Sequence, residues 1–411
     1  MSSFRELLST HRDFRRLFLA SIVSLAGDWF SFVAVADLVS RLTGSPGAAA
    51  FVFAAVVLPV FLASPIAGAV ADRCDRKRIL VIADLVRVPL ALLLCVAAWT
   101  SSVTLAVGVM IALGVAASFH DPVASAATPN LVPPEDLPRA QALMGAVWGS
   151  MLMVGAGIGG VIADVFGGEA AYVVDAVSFA ASAVLIAGIK KPMQQRAQRE
   201  PARGGELREA WRYIRRDRVV RRLVLAKGGV SWANGIVGLL PAFAHGKFAG
   251  TNIATGLLFA ARGLGAMIGP ILGRAYAGKL PSRRAIVLVC GVSTLLYVGV
   301  YAVFPLVSMF SVAMVLVVIA HLGGGAQWSM STYGLQVSTP DALRGRVMSF
   351  DYGLATLAIG TSSIAAGLLA NRFGSDVATW VLSAVGGVYG VSWLSWSLTG
   401  REMAARDGVE K

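Results

Sequence analysis

Long uncharged apolar blocks alternate along the chain with short knots of polar and basic residues. The blocks lack period-two alternation. They therefore read as helices and not as barrel strands, the two structures that satisfy their own backbone in lipid. A helix needs about 20 mostly apolar residues to cross a bilayer core. Twelve crossings are predicted, at Arg15 to Ser40, Ala48 to Ala71, Ile79 to Trp99, Val103 to Ala127, Arg139 to Ala163, Ala171 to Ile189, Arg222 to Ala244, Ile253 to Gly273, Arg284 to Phe304, Leu306 to Ser331, Val347 to Ala370 and Val377 to Leu398. The expected fold class is all-α and integral to a membrane.

The pattern breaks once, near the middle, at a segment rich in Arg, Gln, Pro and Gly between Lys190 and Arg222. It divides the chain into an N-terminal six-helix bundle (1–189), a basic linker (190–221) and a C-terminal six-helix bundle (222–411). Within the linker Leu207, Trp211 and Ile214 recur at helical spacing amid Arg208, Arg212, Arg215, Arg216 and Arg218. This reads as a basic amphipathic helix on the inner leaflet, meeting anionic lipid headgroups; a docking site for a partner is the other reading.

Composition agrees with a membrane protein. Charged residues make up 14% of the 411 residues, against roughly 25% in soluble domains. A net charge of +13 would suggest nucleic acid in a soluble protein, but its distribution gives it another meaning, and no nucleic-acid partner is expected. The two termini, the Lys190 to Arg222 segment and the loops at Arg73 to Arg78, Arg139, Arg274 to Arg284 and Arg344 to Arg346 together carry 30 Lys and Arg, and the opposite side carries 3, Arg41, Lys247 and Arg372. Positive residues stay cytoplasmic. Both termini are thus expected in the cytoplasm of a bacterial-type inner (plasma) membrane. The first block is too long for a signal peptide and has no cleavage pattern.

Cys74, Cys95 and Cys290 read as small apolar filler, and His11, His120, His245 and His321 lack ligand spacing. There is no Walker-type loop, nucleophile elbow or carboxylate–histidine cluster. No metal, cofactor or enzymatic activity is expected, and a proton gradient is left as the driving force.

The halves echo each other. Gly68-Ala-Val-Ala-Asp72-Arg73 is answered by Gly269-Pro-Ile-Leu-Gly273-Arg274, Pro129 to Arg139 by Pro340 to Arg346, and Ser24-Leu-Ala-Gly27-Asp28 by Ser231-Trp-Ala-Asn234-Gly235. Two six-helix repeats handling a substrate between them is an architecture of secondary transporters.

The segment Gly68 to Arg78 resembles the loop signature of the major facilitator superfamily between its second and third helices. Leu131-Val-Pro-Pro-Glu135-Asp-Leu-Pro-Arg139-Ala, Thr339-Pro-Asp-Ala-Leu343-Arg344-Gly345-Arg346-Val-Met348-Ser, Arg12-Asp-Phe-Arg15-Arg-Leu-Phe and Leu42-Thr-Gly44-Ser45 resemble the enterobactin-exporter and macrolide-efflux branch of that family. The resemblance implies twelve helices in two pseudo-symmetric halves, and export by alternating access. It also implies an inner gate in which the carboxylate of Asp72 caps the eleventh helix near Arg346 to Ser349 and an arginine of the loop pairs with Asp121. Gly68, Asp72, Arg73, Arg76, Lys77 and Asp121 are the gate candidates; a loop made basic by topology alone is the other reading. Asp75 follows Cys74 where the family often has glycine, and it is a second acid able to compete for the arginines. A monomer is expected.

Asp28 is the candidate for proton coupling, because a mid-span carboxylate costs about 2.5 to 3.5 kcal/mol on insertion scales and is retained there chiefly for ions, protons or substrate. A structural carboxylate bonded to a neighbouring helix is the alternative. Asp37, nine residues on, falls on the opposite helix face and is expected in a surface pair with Arg41. Asp84 and Arg87 are expected to pair, and Asp175 to sit in the first turn of the sixth span. Arg262, midway along the eighth span, requires a partner, either Asp28 or an anionic substrate. Asn234, His321, Trp232 and Trp328 join Asp28 and Arg262 as candidate cavity residues, and Phe30, Phe32 and Trp148 face either cavity or lipid. Gly155-Ala-Gly157-Ile-Gly159-Gly160 resembles the family's antiporter signature, with Ala156 in place of proline, and also suits helix packing. The reading is a proton-coupled exporter of amphipathic small molecules of drug or antibiotic type. Export of a siderophore or secondary metabolite is the alternative, and a lipid scramblase or membrane scaffold is the reading of a different class.

Overall fold

The computed structural model describes residues 4–194, 206–277 and 283–399, and among them there is no strand. A short helix α1 (Phe4–Thr10) precedes α2 (Arg12–Thr43), α3 (Ala48–Arg73), α4 (Arg76–Trp99), α5 (Val103–Leu131), α6 (Leu137–Phe166) and α7 (Gly168–Ala187). The linker contributes α8 (Glu206–Arg216) and leads into α9 (Arg218–Leu225) and α10 (Gly228–Ala233). The rest of the seventh span is irregular: a 3-10 turn over Asn234–Leu239, a single α-turn α11 (Leu240–Ala242) and a π-turn over Phe243–Lys247. Then follow α12 (Asn252–Ala277), α13 (Arg283–Val303), α14 (Phe310–Ser338), α15 (Asp341–Phe373) and α16 (Ser375–Leu398). Eleven spans among the described residues are long and apolar enough to cross a membrane, and α3 contributes a shorter apolar stretch, Ala48–Ala63, as the twelfth. The chain is a multi-pass membrane protein with the twelve-helix plan read from its sequence.

Helix junctions follow from local chemistry. Gly44 ends α2 in the left-handed region at φ 60°, its N–H bonded to the Ser40 carbonyl. Gly167 between α6 and α7 and Gly374 between α15 and α16 hold nearly the same conformation, φ 88° and 87° with ψ 160°. These are corresponding positions of the two repeats, and glycine alone adopts that backbone freely. Asp75 caps α4 by accepting the Arg78 N–H at 2.9 Å. One carboxylate oxygen thus serves as a helix cap.

Two compact units emerge from the packing: residues 1–197 with 240–260, and residues 198–239 with 261–411. In the first, α2 packs on α7 and α6, α4 on α7 and α5, and α3 on α5. In the second, α10 packs on α16, α13 on α16 and α14, and the 3-10 turn on α15. First-on-sixth and third-on-sixth contacts thus recur in both repeats.

Small residues set the close approaches. A Cβ on Gly159 would lie 2.9 Å from Phe30 Cα, and one on Gly160 would lie 2.5 Å from the Asn252 carbonyl oxygen. The Gly155 to Gly160 stripe therefore seats α6 against α2 on one side and against the start of α12 on the other. Gly265, Gly269 and Gly273 do the same for α12 on α14. Without a hydrophobic drive between helices in lipid, such backbone proximity is what holds them together.

The linker helix docks on the second unit. Ala210 and Ile214 are buried in a core with Val220, Leu223, Val287, Leu335, Val347 and Trp393. Arg346 donates to Glu209 at 2.7 Å, and Trp211, 46% exposed, packs its ring 5.3 Å from Phe350. The Leu207 side chain lies outside the described residues. One edge of the amphipathic helix is thus taken by its own bundle, and the arginine-rich edge stays outside.

Gly159→Leu is expected to destabilise the protein by about 1–3 kcal/mol through overpacking, read as a lowered melting temperature in detergent. Gly145→Leu, on the same helix with nothing within 4 Å of its Cβ position, is the control expected to leave it unchanged. Equal behaviour of the two variants would remove the α2–α6 close approach as a stabilising feature.

Candidate functional site

In the first unit the polar side chains inside the bundle gather around α2, α4 and α7. Asp175 is fully buried and accepts from Ser31 Oγ of α2 and Ser178 Oγ of its own helix. It stands eight residues into α7, in its second turn and not the first. The expected N-terminal placement failed because α7 starts three residues before the predicted span. Gly27 allows the carboxylate in, since a Cβ there would collide with Asp175 Oδ1 and Ser178 Oγ. Asp28, half-buried on α2, acts electrostatically on Asp175, as does Arg87 of α4. Arg87 lies 3.7 Å from Asp84 in the expected i, i+3 pair, donates to Ser24 Oγ at 3.1 Å and covers the Phe179 ring at 4.9 Å. His120 of α5 stands 3.6 Å from Asp84. Sequence spacing alone had left Asp175 and His120 outside the candidate set; the structure joins them to Asp28.

Asp37 does pair with Arg41, at 2.8 Å. It is buried, however, and not on the surface: His245 lies 3.7 Å from it within the same unit. The i, i+4 spacing predicts the pair and not the burial of its acid, and only Arg41 reaches out. Phe32 is also buried, edge-on to Trp29, Phe53 and Phe259, whereas Trp148 is exposed.

The second unit brings three candidates together. Asn234, on the 3-10 turn, donates to the Tyr297 hydroxyl at 3.3 Å. Tyr297 stacks edge-on with His321 at 5.2 Å, and Tyr301 shares a 3.0 Å hydrogen bond with His321 Nε2. Arg262 interacts electrostatically with both tyrosines and with His321. All five side chains are buried. Tyr297 and Tyr301 were not among the sequence candidates, although their spacing of four on one span places both hydroxyls on one helix face.

Trp232 and Trp328 sit elsewhere. Lys227, deep in the seventh span, is ion-paired with Asp351 of α15, donates to Thr332 Oγ1 at 3.0 Å and lies 4.9 Å above the Trp328 ring. Trp232 is 37% exposed and edges a groove beside the same lysine. The ion pair was missed because its members lie 124 residues apart; the signal was an intramembrane lysine.

At the gate loop, Lys77 Nζ donates to the Ile189 carbonyl at 2.8 Å. Arg76 donates to Ala126 O at 2.8 Å and Met193 O at 3.3 Å. Arg16 reaches the Gly188 carbonyl, and Asp13 accepts the Lys191 N–H at 2.9 Å. The basic residues thus bind the chain leaving α7. The side chains of Asp72, Arg73 and Asp121 and the surroundings of Gly68 lie outside the described residues. No group of three or more metal-ligating side chains occurs among the described residues.

Duplicated six-helix units with charged groups buried inside each bundle define a secondary-transporter type of membrane protein. The chain belongs to the Major Facilitator Superfamily, whose family model matches residues 17–350; members of that family transport small molecules. It is 27% identical over 380 residues to the multidrug efflux pump Tap of Mycolicibacterium fortuitum, covering 89% of this chain and 91% of the relative. It is 27% identical over 352 residues to the enterobactin exporter EntS of Salmonella typhi, covering 83% and 81%. The uncharacterized MFS-type transporter YkuC of Bacillus subtilis aligns at 26% identity over 243 residues, where the match spans 57% of this chain and 56% of the relative. Among solved structures, a POT family transporter in complex with a thioalcohol conjugated peptide superposes with a TM-score of 0.76 at 13% identity, over 94% of this chain and 96% of that one, which is a likeness of fold.

Breaking one side of a buried ion pair strands the other charge, at a cost of about 3–5 kcal/mol, whereas an apolar replacement of both is often neutral or better. Lys227→Met is therefore expected to lower the melting temperature in detergent strongly, and Lys227→Met with Asp351→Leu to restore most of it. Additive losses in the double variant would show that the two residues do not act as a pair.

Proposed function

We propose that the protein is a proton-coupled exporter of amphipathic small molecules that works by alternating access of its two halves, 1–189 and 222–411, across a bacterial inner membrane. The carrying observation is the cluster in the first unit, where Asp28 stands half-buried next to the fully buried Asp175 and Arg87 is shared between Asp84 and Asp175. Carboxylates kept at this depth serve ions, protons or substrate. Asp28 supplies access from the cavity and Asp175 the buried end of the site. Efflux as the direction is supported by the multidrug and enterobactin exporters among the relatives.

The inner gate at Gly68, Asp72, Arg73, Arg76, Lys77 and Asp121 belongs to the same reading, with Arg76 tying the loop to the Ala126 carbonyl of α5 and Lys77 to the Ile189 carbonyl just past the end of α7. The protein needs no cofactor, acts as a monomer, holds both termini and the basic linker in the cytoplasm, and meets anionic lipid there. Positive residues on alternate loops support that orientation.

A siderophore or similar anionic metabolite is the second reading, favoured by Arg262 among Tyr297, Tyr301, His321 and Asn234. A guanidinium with two phenols and an imidazole recognises an anionic, hydrogen-bonding aromatic group.

In proteoliposomes with an imposed pH gradient, the wild type is expected to drive flux of a lipophilic cationic dye. Asp28→Asn should cut that flux about tenfold or more and flatten its pH dependence. Flux and pH dependence left intact in Asp28→Asn would overturn the proton site. Arg262→Gln is expected to weaken uptake of a catecholate siderophore by about tenfold and to spare the dye; the reverse pattern would remove the second reading. Gradient-independent lipid flip without solute flux would favour a scramblase.

A further inference from the structure

On the second unit, α9, α10, α15 and α16 enclose a groove of about 290 Å³, with Leu225, Ser231, Trp232, Leu354, Leu357 and Thr361 among its walls. Its floor is closed by α16, where Tyr389 donates to the Leu225 carbonyl at 2.8 Å. Leu354 and Leu357 at the edge are each 36% exposed, and on a membrane span such apolar exposure suits hydrocarbon. Along the helix axis, Leu225 to Trp232 covers about 10 Å at 1.5 Å per residue.

The α9 end of the groove is basic. One turn below Leu225, Arg221 and Arg222 hold their guanidinium groups 5.7 and 5.0 Å from the Trp396 ring, and the Trp393 indole N–H donates to the Arg222 carbonyl at 2.8 Å. Tryptophans at this level mark the headgroup region. Arg218 is exposed at the start of the same helix. The nearby acid, Asp217, is engaged as the helix cap, accepting the N–H groups of Val219 and Val220 at 2.9 Å each. The apolar groove thus lies about one helical turn from a cationic, aromatic cluster of Arg221, Arg222 and Trp396.

We infer that this groove is a binding site for one anionic phospholipid, with its headgroup at Arg218 and Arg221 and one acyl chain lying along Leu225 to Trp232 and against Leu354, Leu357 and Thr361. The inference rests on the reading that the basic linker meets lipid headgroups, and it adds the site at which they are held. It does not depend on transport or on orientation in the cell, because a symmetric bilayer offers the same lipid to both faces. A bound lipid would bridge α9 to α15 and α16 at the place where the linker joins the bundle.

The test uses the full-length protein in phosphatidylcholine nanodiscs doped with phosphatidylglycerol or phosphatidylcholine brominated on the acyl chain. The contribution of Trp232 is taken as the difference between wild type and Trp232→Phe. Brominated phosphatidylglycerol is expected to quench Trp232 at lower mole fraction than brominated phosphatidylcholine. Arg218→Gln and Arg221→Gln should each weaken that preference about fivefold, and Thr361→Phe, which fills the groove from its exposed side, should abolish quenching by either lipid. The site is overturned by an absence of Trp232 quenching, which would mean that lipid does not enter the groove. Equal quenching by the two lipids, or a preference untouched by both arginine variants, would overturn the anionic headgroup.

Discussion

Taking an ammonium or a carboxylate out of water costs several kcal/mol even after relaxation, and a bundle surrounded by hydrocarbon has no solvent to soften that cost. Each unit answers with side chains from several helices converging on one charge. Lys227 is met by α15 through Asp351 and by α14 through Thr332 and Trp328. Arg87 is met by Asp84 of its own helix, Ser24 of α2 and Phe179 of α7. Apart from the local Asp84–Arg87 pair, these contacts join different helices, so they choose which helices must be neighbours. The pairing of first with sixth and third with sixth helices provides the frame in which that choice is possible.

Glycine makes the frame dense enough. Where α6 meets α2 and where α12 meets α14, no side chain separates the backbones, so helix–helix contacts are short and the polar groups between them are shielded from lipid. Gly27 joins packing to chemistry, for its missing Cβ is the space occupied by Asp175 and Ser178. The residue before the candidate coupling acid is therefore as constrained as the acid itself.

The spans were legible because hydropathy is a local property, and so was the i, i+3 pairing of Asp84 with Arg87, because the helix repeat puts both on one face. The duplicated loops announced the repeat, and the glycines at 167 and 374 bear it out in their backbone angles. What sequence could not supply is which face of one helix meets which face of another. Asp37 carried its expected partner but not its burial, since His245 approaches from a distant segment. Asp175 and Ser31 are 144 residues apart, and Asn234 and Tyr297 are 63 apart. Arg262, His321 and Asn234 were found by a cruder argument, that polar groups at mid-span depth need company, and the two tyrosines that complete the group were hidden because aromatic residues are ordinary in apolar runs.

The seventh span changes its hydrogen-bond ladder twice along its length, with a 3-10 turn at Asn234–Leu239 and a π-turn at Phe243–Lys247. A 3-10 turn rises about 2.0 Å per residue and an α-helix about 1.5 Å. Rewinding the six residues Asn234–Leu239 into α geometry would shorten that stretch by about 3 Å and turn everything beyond it about the helix axis. In mechanical terms such a rewinding would act as a screw thread, turning a local exchange of hydrogen bonds into axial travel and rotation at the segment that carries Asn234 and its bond to Tyr297.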